Sequence, residues 1–180
     1  MLRSELLAQL QTTGNNYTVG LAAISLFIDE RSLQLLRTKH VSFLSQRTGH
    51  ETIDFDRLAD LLENEANRDV LLEEFLKMLT RALIKESFEL VRTYCRQTRQ
   101  FAKLKDLSWY HFVRLVRNAV SHDFMFRFRP HDRDLLPVSW RDLAITSHME
   151  GEDLSASGFG KIQARLLFQD LHSLVTDSLE

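Results

Sequence analysis

Backbone breakers are scarce in this chain. It has two prolines and six glycines in 180 residues, and none falls between residues 50 and 129. Eighty residues without either point to helices. The one cysteine, Cys95, excludes an intrachain disulfide and a zinc site built on several cysteines. It implies a reducing cytoplasm. Its place in a helical apolar pattern makes it a buried structural thiol. No apolar run is long enough to span a bilayer: the best, Val19 to Ile28, is interrupted by Gly20 and Ser25 and closed by Asp29. The charged start, Met1-Leu2-Arg3-Ser4-Glu5, is unlike a signal peptide. A Gly-rich phosphate loop, a G-x-S-x-G elbow and metal-binding histidine spacings are all missing, and the seven histidines are dispersed. Neither a metal nor a cofactor is expected, and no membrane partner.

What is present is the composition of a soluble globular protein, 44% hydrophobic and 27% charged. The length fits a single domain over residues 1–180. A net charge of −2 conceals a segregation. Glu51 to Glu74 holds nine acidic side chains against two basic ones, and Arg96 to Arg133 nine basic against three acidic. An anion feels the nearby patch more than the whole, so the basic segment permits nucleic-acid binding. The two segments could equally face each other, within the fold or across a dimer.

The apolar spacing predicts an all-α bundle with a small β-hairpin excursion before the last helix. Helices are expected over Met1–Leu10, Thr18–Ser45, Asp54–Asn64 and about 68–97, the last capped by Asn67. In the second, Leu21, Ile24, Phe27, Ile28, Leu35, Leu36 and Phe43 are the expected buried positions. Ser108 is the expected cap of a helix ending near His122 or Asp123. Phe124, Phe126 and Phe128 then alternate at period two. Val138 to Thr146 with "SHMEGEDLSASGFG" reads as a hairpin turning at Glu150-Gly151. The final helix, Lys161–Ser178, should bury Ile162, Leu166, Leu167, Leu171, Leu174 and Val175.

The stretch "VRNAVSHDF", residues 116–124, gathers polar residues at the end of one helix. Asn118 and His122 stack four apart, with Arg114, Arg117 and Ser121 on the adjoining strip. Arg117 and His122 lie about 140° apart around the axis, within reach of convergence because arginine is long and last turns loosen. Spacing alone also fits an ordinary helix end, with Arg117 in a salt bridge and His122 on the final carbonyls.

"RNAVSH", Arg117 to His122, resembles the R-x4-6-H signature of HEPN domains, which often carry a polar residue directly after the arginine. The specific resemblance covers Trp109 to Phe124. It implies a small all-α domain that dimerises through the motif helices into one composite cleft. Many members are metal-independent ribonucleases of toxin–antitoxin, abortive-infection or other defence systems. By position, Arg117 and His122 would be the catalytic pair and Asn118 would orient them. One subfamily has a tyrosine, the acceptor for nucleotidylation, where this chain has Phe124. Control by that modification is not expected here.

The chemistry suits those side chains. RNA supplies its own nucleophile, the 2′-hydroxyl; an imidazole can take or give the proton, and a guanidinium can hold the non-bridging oxygens as charge builds. In "FMFRFRPHDR" the alternating Arg127, Arg129, His131 and Arg133 suit an RNA backbone, beside phenylalanines that could stack bases or face the core. Arg114, Ser121, Arg127 and Arg129 are the expected RNA contacts. Trp109, Phe112, Val116, Phe124 and Phe126 would supply the apolar flanks of a two-fold dimer. The expectation is a homodimeric endoribonuclease acting on RNA, with a possible antitoxin partner. The alternative is a non-catalytic helical module of the antitoxin or scaffolding kind.

Overall fold

The computed structural model describes residues 1–45 and 49–180. The fold is mainly helical, with two small antiparallel hairpins. Its elements follow in the order α1 (Arg3–Phe27), α2 (Glu30–Arg37), β1 (His40–Ser45), β2 (Gly49–Asp54), α3 (Asp56–Glu63), α4 (Glu65–Gln97), α5 (Phe101–Lys105), α6 (Tyr110–Ser121), α7 (Pro130–Arg133), β3 (Val138–Trp140), β4 (Leu143–Ile145) and α8 (Lys161–Asp177). Two short 3-10 turns, Ser147–Met149 and Leu154–Ser157, precede α8. Backbone packing gathers these into two compact units, Met1–Tyr17 with Lys77–Glu180, and Thr18–Leu76.

The first unit holds a single apolar core. Leu6 and Leu10 of α1, Leu83, Ile84, Phe88 and Val91 of α4, and Leu167, Leu171 and Val175 of α8 contribute to it. Phe112, Val113, Val116 and Val120 of α6 lie wholly inside that core. The motif helix is therefore an internal strut with one polar edge. Helix α1 is continuous where a break was expected between residues 10 and 18. Gly14 explains its passage: a Cβ there would come within 2.9 Å of the Phe168 ring of α8, so the glycine serves close packing and not a turn. Trp140 Nε1 donates to Asp170 Oδ2 at 2.8 Å and Arg141 Nη2 to Asp170 Oδ1 at 2.8 Å, which pins the β3–β4 hairpin to α8.

In the second unit, the expected helix Thr18–Ser45 is three elements. Asp29 closes the apolar run and caps α2, its carboxylate accepting from the Ser32 N–H at 2.8 Å. His40–Ser45 is a strand pairing with β2, Val41 opposite Ile53 and Phe43 opposite Glu51. The β-branched and aromatic residues there favour a pleated strand over a further helical turn. Leu21, Ile28, Leu35 and Phe43, expected inside, are exposed. Arg37 ties α2 to α3 through Asp60 at 2.7 Å and Glu63 at 2.8 Å.

Smaller departures have local causes. Asn64, not Asn67, caps α4, its Oδ1 accepting from the Asn67 N–H of the first turn at 3.1 Å. Helix α6 begins at Tyr110 with Trp109 as its cap, and Ser108 lies in the turn before it. The turn of the second hairpin is Arg141-Asp142, with Arg141 at φ 54°, and Glu150-Gly151 lies beyond that hairpin. Ile162 is exposed because the buried stripe of α8, set by Ala164 and Leu167, lies about 140–200° around the axis from it. Among the described residues, no helix is long and apolar enough to cross a membrane.

Candidate functional site

The polar edge of α6 opens into a cleft of about 290 Å³ in the first unit. Arg92 and Arg96 of α4, Arg114 and Arg117 of α6, and Arg129 just before α7 line it, together with Asn118, Glu89, Phe88, Phe101 and Tyr110. The helical period explains the gathering: 92 and 96 stand one turn apart on α4, and 114, 117 and 118 share one face of α6.

Two carboxylates hold this array. Glu89 Oε1 lies 2.6 Å from Arg117 Nη2, and its other oxygen accepts from Arg92 Nη1 at 3.1 Å. Arg117 Nη1 also donates to Asn118 Oδ1 at 3.2 Å. The buried Arg117 Nε–H has no hydrogen-bond partner among the described residues. Ser121 faces the helix itself, its hydroxyl donating to the Arg117 carbonyl at 2.9 Å.

Asp132 is fully buried and sits 2.6 Å from Arg114 Nη2. The contact is an ion pair more than an aligned hydrogen bond, since neither atom satisfies hydrogen-bond geometry. The second Asp132 oxygen accepts from the Arg129 N–H at 3.0 Å. Burial raises the Asp132 pKa, but the Arg129 N–H and the Arg114 guanidinium together outweigh it and hold the carboxyl below its usual range. His131 Nε2 stands 3.2 Å from Asp132 Oδ1 and 3.5 Å from Arg114 Nη1, with most of its side chain exposed. His111, one turn before Arg114 on α6, is pushed below the usual histidine range by burial and then by the Arg114 charge.

The chain thus brings Arg114, Arg117, Asn118 and Arg129 together and leaves His122 aside. His122 caps α6, exposed, and is not among the residues lining the cleft. The next two residues, Asp123 at φ 56° and Phe124 at φ 63°, are both left-handed, and the Phe124 N–H donates back to the Ala119 carbonyl at 3.0 Å. A buried phenylalanine in that conformation costs about 1–2 kcal/mol and turns the chain sharply at the motif's end. Phe124, Phe126 and Phe128 are buried while Arg127 and Arg129 are exposed, so the alternating stretch faces its rings to the core. It forms no ladder beyond a single bridge, Met125 to Asp153. Phe112, Val116, Phe124 and Phe126 are buried in the chain's own core, and Trp109 packs against it. The four buried residues are thus engaged within the chain, while Trp109 stays partly exposed.

Glu89, Arg92, Arg96 and Asp132 were not picked out by sequence reasoning. Glu89 and Arg92 had one usable signal, an acid and a base three apart on a helix. Asp132 had none, because its partner is eighteen residues away. Cys95 is fully buried, and burial pushes its thiol up to about 11. Among the described residues no three His, Cys, Asp or Glu side chains converge as a metal-binding set. Compared with known proteins, the chain matches no family model, no curated protein and no solved structure.

Proposed function

We propose that this chain binds RNA in the arginine cleft and cleaves it as a metal-independent endoribonuclease. The observation that carries this reading is the convergence of five arginines on one cleft against only two carboxylates. Among the described residues Arg96 and Arg129 have no ion-pair partner, and Arg117 keeps an unsatisfied N–H. Such an array attracts phosphate and holds its non-bridging oxygens in forked contacts. The 2′-hydroxyl attacks phosphorus, its proton passing to a base, and the 5′-oxygen leaves with a proton from an acid. The products are a 2′,3′-cyclic phosphate and a 5′-hydroxyl. Arg117, held by Asn118, offsets charge on the phosphorane.

Two histidines compete for the proton transfers. His122 belongs to the motif and would act in a composite site assembled by a second copy. His131 stands beside the cleft in the same chain, with Asp132 as an orienting carboxylate. Purified protein incubated with mixed RNA in excess chelator separates them. Loss of cleavage in His122→Ala, restored on mixing with Arg117→Ala, supports the composite site. Loss in His131→Ala without such rescue supports the single-chain site. No cleavage by the native chain, or cleavage that survives Arg117→Ala, refutes the enzyme reading.

A second reading is a non-catalytic module that docks RNA or a partner protein, of the antitoxin or scaffolding kind. The Glu89–Arg117 ion pair favours it, because it already neutralises the motif arginine. Inducible expression distinguishes the two in cells. A toxin or defence nuclease arrests growth and its catalytically dead variant does not; a module is harmless in both forms.

A further inference from the structure

The β1–β2 hairpin stands out in the second unit. His40 to Leu44 and all six residues of β2 are exposed, including Val41 at 40%, Phe43 at 51%, Leu44 at 79% and Ile53 at 53%. A two-stranded ribbon with both faces in water is marginal by itself. Its two outer edges differ in chemistry. β2 carries Glu51 and Asp54, the kind of charge that guards a free strand edge. β1, HVSFLS, carries no acidic or basic residue other than His40 and presents unguarded backbone beside apolar side chains.

We propose that the free edge of β1 pairs antiparallel with β1 of a second copy, across a two-fold axis perpendicular to the sheet. The result is a four-stranded sheet in the order β2, β1, β1 of the second copy, β2 of the second copy. Three observations commit the edge to a copy of itself. The stripe is uncharged, so self-pairing sets no like charges opposite each other along it. Such an axis keeps the faces of the two hairpins continuous, so Val41, Phe43 and Ile53 of both copies share one face, with Glu51 beside Phe43 on each outer strand. The acidic residues of β2 then guard both outer edges of the new sheet, so the assembly closes at two copies instead of growing into a fibre. The six residues of β1 match the usual strand length, about 20 Å of edge. Eleven acidic against six basic side chains in Thr18–Leu76 make the two approaching units repel at long range, so added salt strengthens the pairing. This surface lies outside the arginine cleft, and it stands or falls separately from the RNA reading.

Light scattering on the full chain from about 1 to about 100 µM, where modest dimers dissociate, should report twice 21.0 kDa. Phe43→Lys and Val41→Lys, which guard the β1 edge, should halve that mass, whereas Thr52→Lys on β2 should not. Far-UV circular dichroism checks that the helices of each variant persist. Should the lysine variants unfold, Phe43→Cys and Ser42→Cys provide a second route. Cys95 is buried, so mild oxidation should yield a covalent dimer from at least one of them and none from Glu51→Cys. A monomer throughout the range overturns the proposal. So does a dimer indifferent to both lysines on β1, or an edge that stays single while taking up an apolar-basic peptide.

Discussion

Met1–Tyr17 with Lys77–Glu180 contains thirty-one of the thirty-four buried hydrophobic residues among those described, and Thr18–Leu76 contains three: Leu33, Ala59 and Leu62. The same fifty-nine-residue stretch carries twelve of the seventeen large hydrophobics that stay exposed. Composition does not cause this, since twenty-six of its residues are hydrophobic, the same 44% as the whole chain. Size and layering do. A unit this small has too much surface for its volume, and its short α2, α3 and two-stranded hairpin present narrow apolar stripes. The first unit packs α6 against α5, the β3–β4 hairpin and the turn Leu154–Ser157 within the common core, which buries its apolar side and leaves a single polar edge.

The widest test of that contrast is truncation in each unit. Phe112→Ala should cost about 3–5 kcal/mol in urea unfolding, because its side chain is wholly enclosed. Leu35→Ala, 63% exposed, should stay within about 0.5 kcal/mol. Equal costs would break the comparison.

Within the first unit, Asp132→Ala should cost about 3 kcal/mol, because it strands the Arg114 guanidinium without its buried partner. Pairing it with Arg114→Met should recover part of the loss. An Asp132→Ala cost as small as that of Leu35→Ala would mean the pair is solvated.

The pH dependence should be smaller and should also belong to the first unit. His111 and Asp132 both have pKa values lowered by folding. The unfolded chain therefore takes up their protons first, and stability falls with falling pH. The His111 part is lost as pH drops through and below the usual histidine range, and the Asp132 part only below the usual carboxylate range. His111→Gln should flatten the first step in a pH series of melting curves and leave the second.

The smallest effect concerns the cleft. Glu89→Gln frees one arginine charge, so RNA binding should tighten and the slope of log affinity against log salt should steepen by about 0.7. An unchanged slope would place the bound phosphates away from Arg117.

Much of the first unit was readable in the sequence. The apolar period of α4, α6 and α8 is long enough to identify a helix and its inner face, and it located Phe88, Val91, Val116 and Leu171 correctly. Arg114, Arg117 and Asn118 could be placed on one edge because four-residue spacing is a local property. Residues 18–45 misled because apolar residues there continue at three and four spacing through Asp29. The cap at Asp29 and the strand partner at 49–54 outweigh that period. His122 was placed with Arg117 by motif spacing, but the left-handed pair Asp123 and Phe124 ends the helix beside it and the cleft opens along a different strip.

Periodicity alone was enough for the helical class, for the apolar face of the motif helix and for the charge of its polar edge. These follow from periodicity and from the near absence of glycine and proline, which act within a few residues. The tertiary contacts set the rest: that Glu89 and Asp132 meet Arg117 and Arg114, that Phe168 needs Gly14, that the motif helix lies inside the core, and that twelve large apolar residues of Thr18–Leu76 stay exposed. Those outcomes depend on which distant surfaces meet, and no local spacing encodes a contact between residues 89 and 117 or 114 and 132.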